Sequence, residues 1–193
     1  EKILNLISEN TSNGDYDFSD VVILYRTNAQ SRIIEDKLRR QGIPYHIIGG
    51  VKFYERKEIK DMLGYLKAVS NPSDNISILR ILNFPARGIG KTSIDKIVKN
   101  SKEQRISVYE ALQNIDNIQI GLSQKKTIKM FVNKITEFKN KINNYNITDL
   151  INDVIEQFKV KEHYDKQNTA DSNERWQNIT ELINGIVDYD NEK

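Results

Sequence analysis

Apolar residues along this chain fall either at helical spacing or in short continuous runs, and the loss of the runs after Asn71–Ser73 divides it. In Lys2–Glu9, Ile3, Leu6 and Ile7 fall at helical spacing. The polar stretch Thr11–Asp17 leads into Asp20–Arg26, DVVILYR, which is β-branched and apolar almost throughout and predicts a buried, parallel strand. Thr27 and Asn28 offer an N-cap for a helix running to Arg40, closed by Gly42. Pro44–Ile48 predicts a second strand, ended by Gly49 and Gly50. A helix over Glu55–Val69 follows, with Ile59, Met62, Leu63, Leu66 and Val69 on one face.

Beyond Asn71–Ser73 no comparable strand pattern recurs. Ser107–Leu112 predicts a short helix and Ser123–Tyr145 a long one, with Ile128, Phe131, Val132, Ile135, Phe138 and Ile142 along one stripe. Ile147–Phe158 repeats the pattern, and Ser172–Asp188 presents Trp176, Ile179, Leu182, Ile183 and Ile186. These stripes predict core. The expected fold is a partial α/β unit over residues 1–70, two strands with flanking helices, followed by an all-α domain over 71–193, predominantly helical overall.

One stretch stands out from this pattern: Arg80–Ser93, RILNFPARGIGKTS. Ile78, Leu79, Ile81 and Leu82 crowd the end of one helix, and Pro85 stops it because proline lacks an N–H and restricts its predecessor. Gly88 and Gly90 bracket Ile89, give the turn backbone freedom and leave no side chain between the peptide N–H groups and a ligand. A second helix starts near Lys91, with Thr92 and Ser93 in its first turn; such an N-terminus suits a phosphate. The same residues are compatible with a plain αα-hairpin whose glycines only turn the chain. Gly90-Lys91-Thr92 also resembles the end of an ATP phosphate-binding loop, but that motif requires a glycine where Pro85 stands and a strand before it.

Charge sharpens the reading. Of 193 residues, 29 are Lys or Arg and 27 Asp or Glu, a net of only +2, yet Arg80–Arg105 holds seven basic residues against two acidic ones. Residues 1–100 carry a net of +4 and 101–193 a net of −2, so a polyanion is expected to meet the first half. There is no cysteine, which excludes disulfides and thiolate metal sites and points to a reducing cytoplasm. His46 and His163 stand far apart without clustered partners, so no metal site is predicted. No apolar run is long enough to span a membrane, and a soluble protein is expected. The start at Glu1 without methionine and the polar end Asp188–Lys193 predict a piece of a longer protein. Spacing alone reveals no catalytic constellation: pairs such as Glu55/Glu58 and Asp149/Asp153 read as solvated helix surface.

Longer blocks carry a resemblance. ILYRTNAQSR at Ile23–Arg32, QGIPYHIIGGVKFYERKEIKDMLGYLK at Gln41–Lys67 and NPSDNISILRILNFPARGIGKTSIDKI at Asn71–Ile97 closely resemble the UvrD/Rep/PcrA family of ATP-dependent DNA helicases, its PcrA branch most of all. RWQNITEL at Arg175–Leu182 resembles a family stretch that usually reads R-x-E-N-L-x-E-L, from which Gln177 departs. The resemblance implies the start of the second motor domain, 2A, over residues 1–70 and most of the inserted helical domain 2B over 71–193, within a 3′-to-5′ helicase of DNA repair or replication. It implies that ATP and Mg2+ act in the parent enzyme and that this piece alone binds neither. Tyr25 would stack on adenine and Arg26 would reach the γ-phosphate; without the resemblance, they read as an amphipathic strand end and a surface charge. The G-I-G hairpin would hold DNA, duplex or at single-strand junctions, through Gly88, Ile89, Gly90 and Thr92, with Arg87 and Lys91 adding charge. The remaining parent domains are implied partners, no membrane is, and the truncated sheet predicts self-association. A different class remains open: a non-catalytic, protein-docking or autoinhibitory helical module.

Overall fold

Helix α3 (Lys57–Ser70) is the element around which the chain packs, because Ile59, Met62, Tyr65, Ala68 and Val69 give it an apolar face that is wholly excluded from solvent. The computed structural model describes residues 2–14, 16–144 and 146–191. Before α3 come α1 (Lys2–Ser12) and α2 (Ser31–Arg40); after it come α4 (Asn75–Ile81), α5 (Lys91–Gln104), α6 (Val108–Gln113), α7 (Leu122–Lys141), α8 (Ile147–Gln157), α9 (Val160–Gln167) and α10 (Ala170–Asn191). Helix α3 packs against α4, α7, α8 and α10, while α6 bridges α4, α5 and α7. At Gly64 a Cβ would lie 3.0 Å from the Ile81 side chain, so glycine is what lets α4 approach α3 this closely. None of the described helices is long and apolar enough to cross a membrane.

The two predicted strands are not formed: among the described residues there is no strand and no sheet, and the fold is all-helical rather than a partial α/β unit followed by helices. Exposure shows why. Val21, Ile23, Ile43 and Tyr45 rest on a small cluster of Leu4, Ile7 and Leu38 from α1 and α2. Their neighbours Val22, Leu24 and Ile48 are 72%, 89% and 91% exposed. Each segment thus buries alternate residues, the pattern of an extended chain with one covered face, and neither makes the inter-strand hydrogen bonds that define a strand. Local β-propensity aligned the side chains; no ladder partner completed them.

The helical expectations fare better, with shifted ends. Asn28–Gln30 is a 3-10 turn before α2, and α7 ends at Lys141 in a further 3-10 turn, Ile142–Asn144. The expected end of that helix at Tyr145 lies outside the described residues. Helix α9 is an addition to the expected set.

Two apolar clusters part at Phe53. The larger runs from Phe53 to Leu182; the smaller holds α1, α2 and the extended segments. A polar seam joins the smaller one to α10. Arg32 pairs with Glu181 at 2.9 Å, and Arg56 donates to Asn178 Oδ1 at 2.9 Å, to the Asn28 carbonyl at 2.8 Å and to Ser31 Oγ at 2.8 Å. Asn178 in turn donates to Glu58 Oε1 at 2.7 Å. No buried side-chain polar atom among the described residues lacks a partner, as an interior of this kind requires.

Candidate nucleic-acid interface

The hairpin begins with α4. Asp74 caps it, its Oδ1 accepting from the amides of Ile76 at 3.1 Å and Ser77 at 3.2 Å. The Ser77 hydroxyl, and after it these backbone bonds, hold the Asp74 carboxyl below the usual carboxylate range. Ile78, Ile81 and Leu82 anchor the helix in the core, and the chain then turns through Asn83 and a cis Phe84–Pro85 peptide.

Arg87 closes that turn from inside. Its Nη1 donates to the carbonyls of Ile81 at 2.7 Å, Leu82 at 3.2 Å and Phe84 at 2.7 Å, satisfying acceptors that the end of α4 leaves over. Its Nη2 donates to the Tyr65 hydroxyl at 2.6 Å, and Tyr65 donates onward to the Phe84 carbonyl. The guanidinium also lies over the rings of Phe131 and Phe158, 5.4 and 5.1 Å from their centroids. Burial pushes the Tyr65 phenol up to about 12, against the pull of Arg87. Asn83 Oδ1 accepts from the amides of Arg87 at 2.7 Å and Ile89 at 3.2 Å.

Between these supports the loop turns outward. Ile89 is 1% exposed and plugs the core, whereas Gly88 and Gly90 on either side are exposed. Gly88 has φ +73°, a conformation that favours glycine. A Cβ at either glycine would meet nothing within 4 Å, so packing does not demand glycine there and the faces stay open to a ligand. Gly90 begins α5: its carbonyl accepts from Ser93 N at 3.0 Å and Ile94 N at 3.2 Å, while the amides of Gly88, Gly90, Lys91 and Thr92 donate to no group among the described residues. Four free N–H groups and the positive end of a 14-residue helix therefore meet on one exposed loop.

The basic footprint is narrower than the sequence count. Arg80 is spent on the buried Asp61 at 2.7 Å, and Arg87 faces carbonyls. Burial raises the Asp61 carboxyl even so, with Arg80 opposing. Lys99 pairs loosely with Glu103 at 3.7 Å, and Lys96 donates to the Gln119 carbonyl at 2.8 Å while keeping its charge. Lys91, Lys102 and Arg105 are exposed without an ion pair among the described residues.

Two of the expected contacts are flanked by residues that sequence reasoning passed over. Asn83 and Gln124 hold the Gly88–Ile89 peptide from opposite sides, Gln124 from α7. Tyr25 and Arg26 lie apart from the hairpin, at the end of the first extended segment beside the smaller cluster. Tyr25 is half-buried and Arg26 exposed; Gln30 Oε1 accepts from the Arg26 amide at 3.0 Å, and the guanidinium makes no ion pair among the described residues. An open cleft of about 300 Å³ behind the hairpin is lined by Lys57, Phe84, His163, Tyr164 and Arg175 among others. No group of three metal-ligating side chains exists among the described residues.

A helical scaffold presenting a glycine-bracketed loop of free amides, with an arginine and an aromatic side chain on a separate segment, fits the sequence blocks quoted above; the chain belongs to the UvrD-like helicase C-terminal domain family, which it matches over residues 1–193. Among individual relatives it is similar to the ATP-dependent DNA helicase PcrA of Bacillus subtilis strain 168, 38% identical over 179 residues that are 93% of this chain and 24% of that protein. The PcrA proteins of Staphylococcus epidermidis (38% over 175 residues, 90% of this chain and 24% of the relative) and of Staphylococcus aureus strain Mu50 (36% over 192 residues, 98% and 26%) are alike. The chain thus spans about a quarter of the length of these relatives.

Proposed function

We propose that this chain is the duplex-gripping part of an ATP-dependent DNA helicase, and that Gly88–Thr92 clamps the phosphate backbone without reading sequence. The observation that carries the reading is the set of four free amides at Gly88, Gly90, Lys91 and Thr92, beside two glycines where a Cβ would meet no atom within 4 Å. Ile89 anchors the clamp, and Lys91 adds the nearest unpaired charge. Arg87 is assigned to holding the turn instead of a phosphate, since its donors face carbonyls.

The parent enzyme is read as a 3′-to-5′ translocase of repair or replication, with 2A contributing the opening segment and 2B the helices. The parting of the two clusters at Phe53 supports a boundary ahead of α3, earlier than residue 70. In that enzyme ATP and Mg2+ supply the phosphoryl-transfer chemistry. Arg26 is free to approach a γ-phosphate and Tyr25 to offer a ring face to a base, and this chain alone turns over no ATP. The exposed faces of Val22, Leu24 and Ile48 favour a second role in docking protein, either other parent domains or another copy. Light scattering that finds only monomer at high concentration removes the copy.

Duplex binding against salt tests the clamp. Two or three neutralised phosphates give a slope of log K on log salt near −2 to −3, from roughly −0.9 per phosphate. Replacing both Gly88 and Gly90 by valine abolishes binding while the helical spectrum persists. Retained affinity in that folded variant moves the DNA site elsewhere and favours the docking role.

A further inference from the structure

The Gly88–Ile89 peptide is held at both of its polar ends. Asn83 Oδ1 accepts from its N–H at 3.2 Å, and Gln124 Nε2, 36 residues further along the chain, donates to its carbonyl oxygen at 3.3 Å. The Gln124 Oε1 meanwhile accepts from Ser93 Oγ in the first turn of α5 at 3.1 Å and from the Gly121 amide at the start of α7 at 3.2 Å. One side-chain amide therefore ties the loop to the beginnings of two helices.

The tie matters because Asn83 and the buried Ile89 side chain hold only the Ile89 end of this peptide, and among the described residues Gln124 alone holds its carbonyl end. Gly88 has no side chain and no neighbour within 4 Å of where one would be, and glycine has the widest choice of backbone angles. The free N–H groups of Gly88 and Gly90 lie one peptide to either side, so their directions follow the plane of the Gly88–Ile89 unit. We infer that Gln124 is a positioning residue for the phosphate clamp, fixing that plane so that the flanking amides stand ready before DNA arrives. The inference rests on the clamp proposed above. It adds to it a residue on a distant helix that touches no phosphate.

Two variants separate positioning from plain helix support. Gln124→Met loses all three bonds. Gln124→Glu keeps an acceptor for Ser93 and for the Gly121 amide, where a glutamate at the third helical position is itself a good cap, but cannot donate to the Gly88 carbonyl. In the DNA-free 193-residue chain, both variants should shift the amide resonances of Gly88–Gly90 and speed hydrogen exchange at Ile89 about fivefold, the factor one ordinary hydrogen bond represents. Gln124→Glu should keep its melting midpoint within about 2 °C. Affinity for a blunt duplex should fall by about the same factor in Gln124→Met with the salt slope unchanged, because no phosphate contact is removed. Unchanged Ile89 exchange in both variants overturns the inference. So does a Gln124→Glu variant with wild-type resonances and affinity beside a Gln124→Met variant that loses only stability, since Gln124 would then merely cap α7. If the unaltered chain binds no duplex, the clamp itself fails, and the exchange data taken without DNA still decide whether Gln124 orients the loop.

Discussion

Replacing Arg87 by alanine separates a structural arginine from a phosphate contact. The guanidinium makes three contacts of 2.6 to 2.7 Å, to the Ile81 and Phe84 carbonyls and the Tyr65 hydroxyl, a longer one to Leu82, and lies over two rings. A bond from a charged donor is worth about 1.5–3 kcal/mol, but the site is only half-buried and water can replace part of each. Taking roughly 1 kcal/mol for each of the three short contacts and about 0.5–1 kcal/mol for the rings gives a loss of about 3.5–4 kcal/mol. For a chain of this size that lowers the melting midpoint by roughly 7–16 °C, at about 2–4 °C per kcal/mol. Circular dichroism at 222 nm follows the transition. Arg87→Lys should recover less than half of the loss, because a point ammonium cannot span the carbonyls and the Tyr65 hydroxyl as the planar fork does. Duplex affinity, measured well below the melting range, should fall only as far as the loop loosens, with the salt slope kept. An Arg87→Ala protein that melts within about 2 °C of the parent, and whose salt slope flattens by about 0.9, would refute this reasoning and return Arg87 to the phosphates.

Other outcomes follow from the same geometry. Burial, and then Lys57, hold the His163 imidazole below its usual range, against the weaker pull of Asp61; its folded pKa is thus depressed below the unfolded value. The unfolded chain then binds the proton first, so stability falls as pH drops below about 6.5 and levels off once the folded pKa is passed. Gln in place of His163 should remove that part of the pH dependence of the melting midpoint, and an identical slope in both proteins between pH 7.5 and 5 would exclude His163 as its source. In the full-length parent, Arg26→Ala should lower kcat for DNA-stimulated ATP hydrolysis by on the order of 10³-fold and leave duplex affinity alone; an unchanged kcat would remove Arg26 from phosphoryl transfer.

Periodicity was enough for the helices that build the core. The stripes of α7 and α8 separate a buried face from an exposed one, and α10 repeats apolar residues over a long stretch although only Ile179 and Leu182 of its stripe are buried, so all three are legible locally, with ends shifted by a few residues where caps and 3-10 turns decide. Helix α9 escaped because VKEHYDKQ is only eight residues long and carries just two apolar side chains, Val160 and Tyr164, too few repeats to announce a period. The glycine-bracketed loop was legible too, since Pro85, Gly88 and Gly90 act on their own backbone. Strands were not. Val21–Tyr25 and Tyr45–Ile48 have the composition of strands and the alternating burial of extended chain, but a ladder needs a partner, which no local pattern supplies. The direction of a charge was equally out of reach. Whether Arg87 faces a phosphate or a carbonyl depends on Tyr65 from α3, Phe131 from α7 and Phe158 beyond α8; whether the Gly88 peptide is held depends on Gln124 at the start of α7. The amino-acid sequence by itself determined the helices and the turn, because those follow from neighbours in the chain. Only the tertiary structure decided which polar groups are spent inside and which remain for a ligand, because their partners lie tens of residues away.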